Sequence, residues 1–140
     1  MSLLRAVGVE AAPSALIGPY VRIRGSGRLV LGEGAGVNTG CVLDCESDIV
    51  LGRNVKMGPN CLLTTAGHAL GAPEDRCGGT TAKPITIEEG VWLGIGVIVL
   101  PGVTIGRGAV IGPGSVVRTN VPPNQLWSVP AATKYKDLPT

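Results

Sequence analysis

Aliphatic side chains return at every sixth position through the second half of the chain, and a glycine follows each of the first five by three residues. A period of six fits neither a helix nor a simple strand, but it fits short strands joined by tight turns into a coil. Glycine adopts positive φ without a steric clash, so a glycine in each repeat predicts a turn in each repeat. The aliphatic series is Ile87, Leu93, Val99, Ile105, Ile111 and Val117, and the glycines are Gly90, Gly96, Gly102, Gly108 and Gly114.

The same repeat runs upstream, where asparagine takes the place of the turn glycine at Asn54 and Asn60. It slips by two residues around Glu46 and Ser47. Three repeats make one triangular turn, so a coil over about 15–117, without the non-repeating segment 64–84, predicts about four to five turns and a height of about 20 to 25 Å. We expect residues 1–14 and 118–140 to cap its ends.

Length favours a single domain, and the repeat of short strands makes it an all-β one. The chain has 140 residues, 44% of them hydrophobic and only 3% aromatic, which is enough for one core and argues against disorder. The net charge is +2, with no cluster of lysine and arginine, so we expect no nucleic-acid partner. The longest uncharged run, 90–106, is too short to cross a membrane. No secretory signal is evident near the start, so we expect a cytoplasmic protein.

The four cysteines form no C-x-x-C pair, and the chain has a single histidine. We therefore expect no metal site and reduced thiols, two of them packed inside. The positions are Cys41, Cys45, Cys61 and Cys77.

The long interruption of the repeat, 64–84, is polar and predicts a protruding loop of functional importance. It contains the only histidine, His68. An imidazole can take a proton from a hydroxyl near neutral pH, so His68 is a candidate general base, although a lone loop histidine is more often simply solvated. Glu74 or Asp75 could orient its ring, and a solvated pair bound to Arg76 is the structural alternative for both acids.

Several motifs together resemble the hexapeptide-repeat acetyltransferases, and in particular the galactoside, maltose and nodulation-type sugar O-acetyltransferases. They are the coil repeat, T-A-G-H-A-L, K-P-I-T-I-E-E-G-V-W-L-G, P-G-V-T-I-G and the terminal V-P-P-N with V-P-A. The resemblance covers about 15–136. It implies a left-handed parallel β-helix, a homotrimer, and acetyl-CoA as co-substrate in a groove between neighbouring coils.

The resemblance also assigns residues. His68 matches the catalytic base, and Asn38 matches an asparagine that steadies the tetrahedral intermediate of acyl transfer. Trp92 matches a tryptophan that flanks the active site, with ordinary interface burial as the alternative. The positions that match CoA contacts are Gly94, Ile95, Pro113 and Arg118.

Charge adds two further candidates for the cofactor. No Asp or Glu occurs from Gly90 to Lys136, whereas Lys134 and Lys136 are basic and could attract the CoA phosphates. For the acceptor we expect polar groups near Asp44 and Glu46, where the slip of the repeat could bulge the coil towards the groove; a solvated bulge is the alternative.

The sequence departs from the family pattern at three points, which restrict the family properties expected of this chain. Ala69 stands where the family usually has proline after the histidine, and the C-terminal bases come later than usual, which affects the expected phosphate contacts. The galactoside and maltose enzymes also begin with a helical segment that helps to hold the sugar, whereas the coil is expected here from about Ala15.

The leading hypothesis is thus an acetyl-CoA-dependent O-acetyltransferase acting on a sugar or a sugar-containing acceptor, by direct attack on the thioester. Transfer to an amino sugar or to an antibiotic is the alternative within the enzyme class. A trimeric β-helix scaffold without catalysis is the alternative outside it.

Overall fold

A computed structural model describes residues 8–129 and 133–139 of the chain. Within these residues every regular element is a strand, and almost all strands pair in parallel with the strand one coil away. The fold is the expected left-handed parallel β-helix, a three-sided prism whose faces we label A, B and C in chain order. No helix of the described part is long and apolar enough to span a membrane.

The strands of each face are short because the chain turns after every face. Face A contains β1 (Val9–Ala11), β4 (Leu29–Leu31), β7 (Ile49–Leu51), β12 (Ile85–Ile87) and β15 (Thr104–Ile105). Face B contains β2 (Leu16–Ile17), β5 (Gly36–Val37), β8 (Lys56–Met57), β13 (Trp92–Leu93), β16 (Val110–Ile111) and β18 (Gln125–Ser128), with β19 (Thr133–Asp137) antiparallel to β18. Face C contains β3 (Arg22–Gly25), β6 (Val42–Cys45), β9 (Leu62–Thr64), β14 (Ile98–Val99) and β17 (Val116–Val117). A separate hairpin contains β10 (Ala66–Leu70) and β11 (Cys77–Ala82).

The periodic aliphatic residues form the core. Each inward side chain stacks on the equivalent residue of the next coil, as Leu43 does between Ile23 and Leu63. Leu43 and Leu63 are fully buried, whereas Ile23 in the first coil is only partly buried, because stacking covers a side chain from both sides. The core is therefore a set of continuous columns along the prism axis.

Left-handed backbone at the turns confirms the expected role of glycine and asparagine. Gly90 and Gly96 have φ of 75° and 70°, and Asn54 and Asn60 have φ of 56° and 57°. Asparagine tolerates this conformation better than other residues with a side chain. Tyr20 takes the same conformation, φ 60°, at the equivalent turn of the first coil.

The three edges of the prism are named by the turns that form them. Turns after face B, which include Asn38, form the Asn38 edge; turns after face C, from which the hairpin emerges, form the hairpin edge; turns after face A form the third edge. The first two turns of the hairpin edge are wider, and this explains the slip of the repeat around Glu46 and Ser47. Gly25 lies directly over the next coil here, since a Cβ on it would lie 2.3 Å from the carbonyl carbon of Cys45.

The coil is longer than the four to five turns expected from the sequence, and has about six. At the start, β1 already pairs in parallel with β4. At the end, Val121 bridges Ile105, and Trp127 in β18 stacks on Ile111, so the coil continues into the expected cap. The repeat is two residues shorter between Val117 and Val121, so the last turn does not follow the six-residue period.

The cysteines are free, as expected, but three are buried rather than two. Cys41, Cys45 and Cys61 lie in the core, and Cys77 is exposed on the hairpin. Cys45 is the additional buried thiol, because the last residue of β6 still points into the prism.

Stacking predicts a large difference between two leucines close together in the sequence. Leu63→Ala should lower the free energy of unfolding by about 2 to 5 kcal/mol, since it leaves a cavity in a column of the core. Leu70→Ala, at a position that is 82% exposed on the hairpin, should change it by less than about 0.5 kcal/mol. Urea unfolding followed by circular dichroism tests both, and equal losses would contradict the described packing.

Candidate active site

The segment expected to protrude as a loop, 64–84, leaves the coil as a two-stranded antiparallel hairpin, a regular structure that the sequence did not reveal. In it, Gly67 pairs with Thr81 and His68 pairs with Thr80. Its strands consist mostly of glycine, alanine and threonine and are largely exposed. They therefore lack the alternation of apolar and polar residues that identifies a half-buried strand in a sequence.

The hairpin holds the ring of His68 through a backbone group. The Nδ1 atom of His68 lies 3.0 Å from the carbonyl oxygen of Gly78 on the opposite strand. A carbonyl only accepts hydrogen bonds, so Nδ1 carries the hydrogen and donates it, and in the neutral ring Nε2 keeps its lone pair. This arrangement replaces the carboxylate of Glu74 or Asp75 that we considered from the sequence.

Gly78 is a positioning residue that the sequence analysis missed. It lies where the hairpin register shifts after His68, and a Cβ on Gly78 would lie 2.6 Å from the carbonyl oxygen of Ala69. Only glycine fits this close approach of the two strands. The two consecutive glycines, Gly78 and Gly79, were the sequence feature that could have marked this position. Because glycine is common in this chain, the pair does not stand out.

Polar side chains anchor the foot of the hairpin. The hydroxyl of Thr65, which is fully buried, donates to the carbonyl of Asp44 at 2.8 Å and accepts from the amide of Ser47 at 2.8 Å. The Asp44 carboxylate accepts from the hydroxyl of Thr64 at 3.1 Å and is 3.3 Å from Nε of Arg24. Three consecutive coils are thereby tied together where the chain leaves the prism.

The two residues expected at the acceptor side lie on the hairpin edge. Asp44 is 8% exposed, and its carboxylate already has the partners just described. Glu46 is exposed on the widened turn that follows β6. Their role in acceptor binding stays a prediction, while the structure gives Asp44 a clear role in holding the hairpin.

Asn38 lies on the neighbouring edge of the prism. It follows β5, is exposed, and its Oδ1 accepts a hydrogen bond from the amide of Thr39 at 2.7 Å. Because Oδ1 is engaged in this way, the Nδ2 amino group is the part of the side chain that can donate to a ligand.

Three of the residues expected to contact CoA stack on the same edge as Asn38. Gly94 and Ile95 form the turn after β13, and Pro113 follows β16 in the next coil. A Cβ on Gly94 would lie 2.8 Å from the nitrogen of Pro113, and a Cβ on Gly58 would lie 2.8 Å from the nitrogen of Ile95. The turns are thus closely stacked, so those around Gly94 and Pro113 offer a ligand mainly backbone groups and the half-exposed side chain of Ile95.

The remaining expected contacts are spread over other parts of the prism. Trp92 is 58% exposed on the outer side of face B, next to Lys56 of the preceding coil. Lys134 and Lys136 are exposed on β19 at the end of face B, and Nζ of Lys134 is 3.1 Å from the Asp137 carboxylate. Arg118 is exposed on the hairpin edge.

One chain therefore does not bring the two candidate catalytic side chains together. His68 extends from the hairpin edge and Asn38 lies on the Asn38 edge, and a full strand of face C separates these edges. The four residues of β6 span roughly 13 Å at the usual rise of a strand. The free Nε2 of His68 is therefore on one edge and the Nδ2 donor of Asn38 is on the other.

The thiol of Cys45, next to Asp44 in β6, is unreactive. Burial, and then the negative charges of Asp44, Asp48 and Glu46, raise the pKa of Cys45 to about 12. The thiol is therefore protonated at neutral pH and is not a nucleophile.

The sequence is similar to a family of bacterial transferases and to individual acetyltransferases. Residues 84–119 match the family model described as bacterial transferase hexapeptide (six repeats). The chain is 38% identical over 138 residues to a galactoside O-acetyltransferase of Lactococcus lactis, covering 97% of this chain and 67% of that protein. It spans 43 to 61% of the length of three other curated relatives, two putative acetyltransferases from Schizosaccharomyces pombe and Dictyostelium discoideum and the galactoside O-acetyltransferase of Escherichia coli.

Two solved structures superpose on nearly the whole chain. One is a hexapeptide-repeat-containing acetyltransferase from Vibrio cholerae in complex with acetyl coenzyme A, with a TM-score of 0.88 and 28% identity, covering 99% of this chain and 75% of that one. The other is a maltose O-acetyltransferase from Clostridium difficile, with a TM-score of 0.86 and 30% identity, covering 99% and 73%.

The anchoring of the hairpin predicts a local effect of Asp44. In Asp44→Ala, Arg24 and the hydroxyl of Thr64 lose their partner, so stability should fall by about 1 to 3 kcal/mol. Amide hydrogens of 66–82 should also exchange faster, as measured by mass spectrometry. Asp75→Ala, at the exposed tip of the hairpin, is the control and should leave the exchange near the foot unchanged. If Asp44→Ala also left it unchanged, the carboxylate would not anchor the hairpin.

Proposed function

Because this chain belongs to the hexapeptide-repeat acetyltransferases, we propose that it transfers the acetyl group of acetyl-CoA to a hydroxyl of a sugar or of a sugar-containing molecule. The resemblance found in the motifs is confirmed by the relatives and the solved structures. The observation that carries the proposed chemistry is the ring of His68, whose Nδ1–H is bound to Gly78 and whose Nε2 is left to accept a proton.

The proton transfer follows from that orientation. Nε2 of His68 takes the proton of the acceptor hydroxyl while its oxygen attacks the carbonyl carbon of the thioester. The Gly78 carbonyl keeps the Nδ1–H in place and stabilises the imidazolium that forms. The new C–O ester bond replaces the C–S bond, and the CoA thiolate leaves with the proton returned by His68. No covalent acetyl-enzyme is required.

Asn38 stabilises the negative charge that develops on the carbonyl oxygen. Its Oδ1 is bound to the amide of Thr39, which orients the side chain and leaves Nδ2 as the donor. A donor held in place before the reaction costs no reorganisation in the transition state, which is why such groups contribute strongly to acyl transfer.

The co-substrate lies along the Asn38 edge in this proposal. Closely stacked turns at Gly94, Ile95 and Pro113 suit a long ligand held mainly by backbone groups, and Trp92 flanks it. Lys134 and Lys136, at the end of face B, supply positive charge for its phosphates, and Arg118 does so from the hairpin edge of a neighbouring copy. Asp44 and Glu46 stay candidate acceptor contacts.

We further propose that the site forms between copies of the chain in a homotrimer. His68 and Asn38 lie on different edges, so the hairpin of one copy supplies the base to the Asn38 edge of its neighbour. A closed ring of three copies repeats this contact at three equivalent sites.

The mechanism predicts losses of turnover at two positions. His68→Ala should lower the rate of thiol release from acetyl-CoA, measured with sugar acceptors, by at least about 10²-fold. Asn38→Ala should lower it by about 10² to 10³-fold. Cys77→Ser, also on the hairpin, is the control and should be as active as the wild type. Full activity of His68→Ala would overturn the assignment of the base, and loss of activity in Cys77→Ser would indicate an acetyl-thiol intermediate instead.

A shared site also predicts complementation. When the inactive His68→Ala and Asn38→Ala chains are refolded together in equal amounts, about a quarter of the wild-type activity should return. About three quarters of random trimers contain both chains, and each of these has one site of three with both side chains intact. Each variant refolded alone is the control. No recovery in a mixture that sedimentation shows to be trimeric would place both side chains in one chain's site.

A further inference from the structure

A cleft opens on face B beside Asn38, where the row of outward side chains is interrupted. The row runs from Leu16 through Gly36 and Lys56 to Trp92, one residue from each successive coil. Glycine has no side chain to fill its place in this row. The gap is a cleft of about 360 Å³, with Gly36 between Leu16 and Lys56 and with Asn38 in its lining. The cleft is open to solvent.

Lys56 extends along this cleft. Its Cδ would lie 3.4 Å from a Cβ placed on Gly36, and its ammonium donates a hydrogen bond to the carbonyl of Gly34. A side chain in place of Gly36 would therefore meet the lysine stem. The glycine both opens the cleft and lets the lysine lie in it.

The charge of Lys56 is not neutralised by a neighbouring acid in the described part of the chain, where no carboxylate lies within 4.0 Å of its ammonium nitrogen. By contrast, Arg24, Arg28 and Arg53 each pair with a carboxylate of an adjacent coil. The ammonium group has three N–H donors, and the bond to Gly34 uses one of them. Two donors are left for an anion.

The apolar wall of the cleft is formed by the exposed side chains of Leu16 and Ile17. Val37 and Met57 also border it beside Asn38, but they are 2% and 3% exposed and belong to the core, so they offer little side-chain surface. A single cation among apolar side chains, next to a catalytic donor, suits a ligand with one anionic group and an apolar sugar face better than a neutral polyol.

We propose that this cleft binds an acidic acceptor, a saccharide with a carboxylate or a phosphate, whose anionic group contacts Lys56. This inference rests on the proposed function and names the substrate class of the same site. Lys56 pairs with Gly36, and Asn38 is two residues further along, so Lys56 and Asn38 are roughly 8 Å apart between Cα atoms by strand geometry. One sugar residue bound at Lys56 thus places a hydroxyl beside Asn38.

Paired acceptors test the proposal. Thiol release from acetyl-CoA is measured with glucuronate and glucose 6-phosphate against glucose, and with galacturonate against galactose. The wild type should prefer the acidic sugars by about tenfold or more in kcat/KM, the effect of one charge-assisted hydrogen bond. The uronates and the phosphate distinguish a carboxylate from a phosphate as the group recognised.

Substitutions of two lysines test whether the preference for acidic sugars comes from the cleft. Lys56→Met keeps the length of the stem without its charge and should bring the ratio of acidic to neutral turnover close to one, whereas Lys56→Arg should keep most of it. Lys83→Met removes another exposed lysine, on the hairpin edge, and should leave the ratio as in the wild type. Equal use of acidic and neutral sugars by the wild type, or an unchanged ratio in Lys56→Met, would overturn the proposal.

Direct binding separates this inference from the proposed function. Saturation-transfer NMR with glucuronate and glucose 6-phosphate, without acetyl-CoA, should show binding to the wild type and a loss of binding in Lys56→Met. Such binding in a protein that turns over no acceptor would support the cleft and contradict the transferase. Absence of binding by both acids, with turnover of neutral sugars, would contradict the cleft and leave the transferase standing.

Discussion

The in-register stacking of successive coils is the constraint on which the rest of this structure depends. A core residue such as Leu43 is buried only because Ile23 and Leu63 occupy the same position one coil away. Any residue's place in the repeat therefore decides its face or edge, and also which residues of the adjacent coils it touches. The turns must close after every six residues, and left-handed residues such as Asn60 and Gly96 make this possible.

Stacking also explains where chemistry can be placed. The interior columns are filled by aliphatic side chains, so functional groups are confined to turns, to outward positions and to insertions. The one large insertion emerges from the edge whose earlier turns are already widened, and buried Thr65 ties it to the coil below. This foot gives an exposed hairpin a rigid base, and a backbone carbonyl, that of Gly78, orients the histidine. The position of the imidazole thus depends on local hairpin geometry rather than on a second charged residue.

The same rule separates the residues that are proposed to act together. Asn38 and the stacked turns of Gly94 and Pro113 share one edge, whereas His68 and Arg118 share another. A rigid prism cannot bend to close the distance between its own edges, which is why the proposed site requires a second copy. The cleft at Gly36 borders the Asn38 edge. In the proposals, its lysine marks the acceptor side, and the co-substrate side offers mainly backbone contacts.

The sequence by itself determined the parts of this protein that are encoded within one repeat. The spacing of Leu93, Val99 and Ile105 predicted strands and core, and the glycines predicted turns. Several motifs taken together, among them the one around His68, identified the family. Only the tertiary structure decided what depends on contacts between repeats. The six-turn length could not be read from local spacing, because the repeat is two residues shorter before Val121. The partners of Asp44 could not be read from it either. Arg24 and Thr64 are each twenty residues from Asp44 and meet it only through the register of the stacked coils. Periodicity specifies the conformation of each repeat, whereas the contacts between repeats depend on every insertion that lies between them.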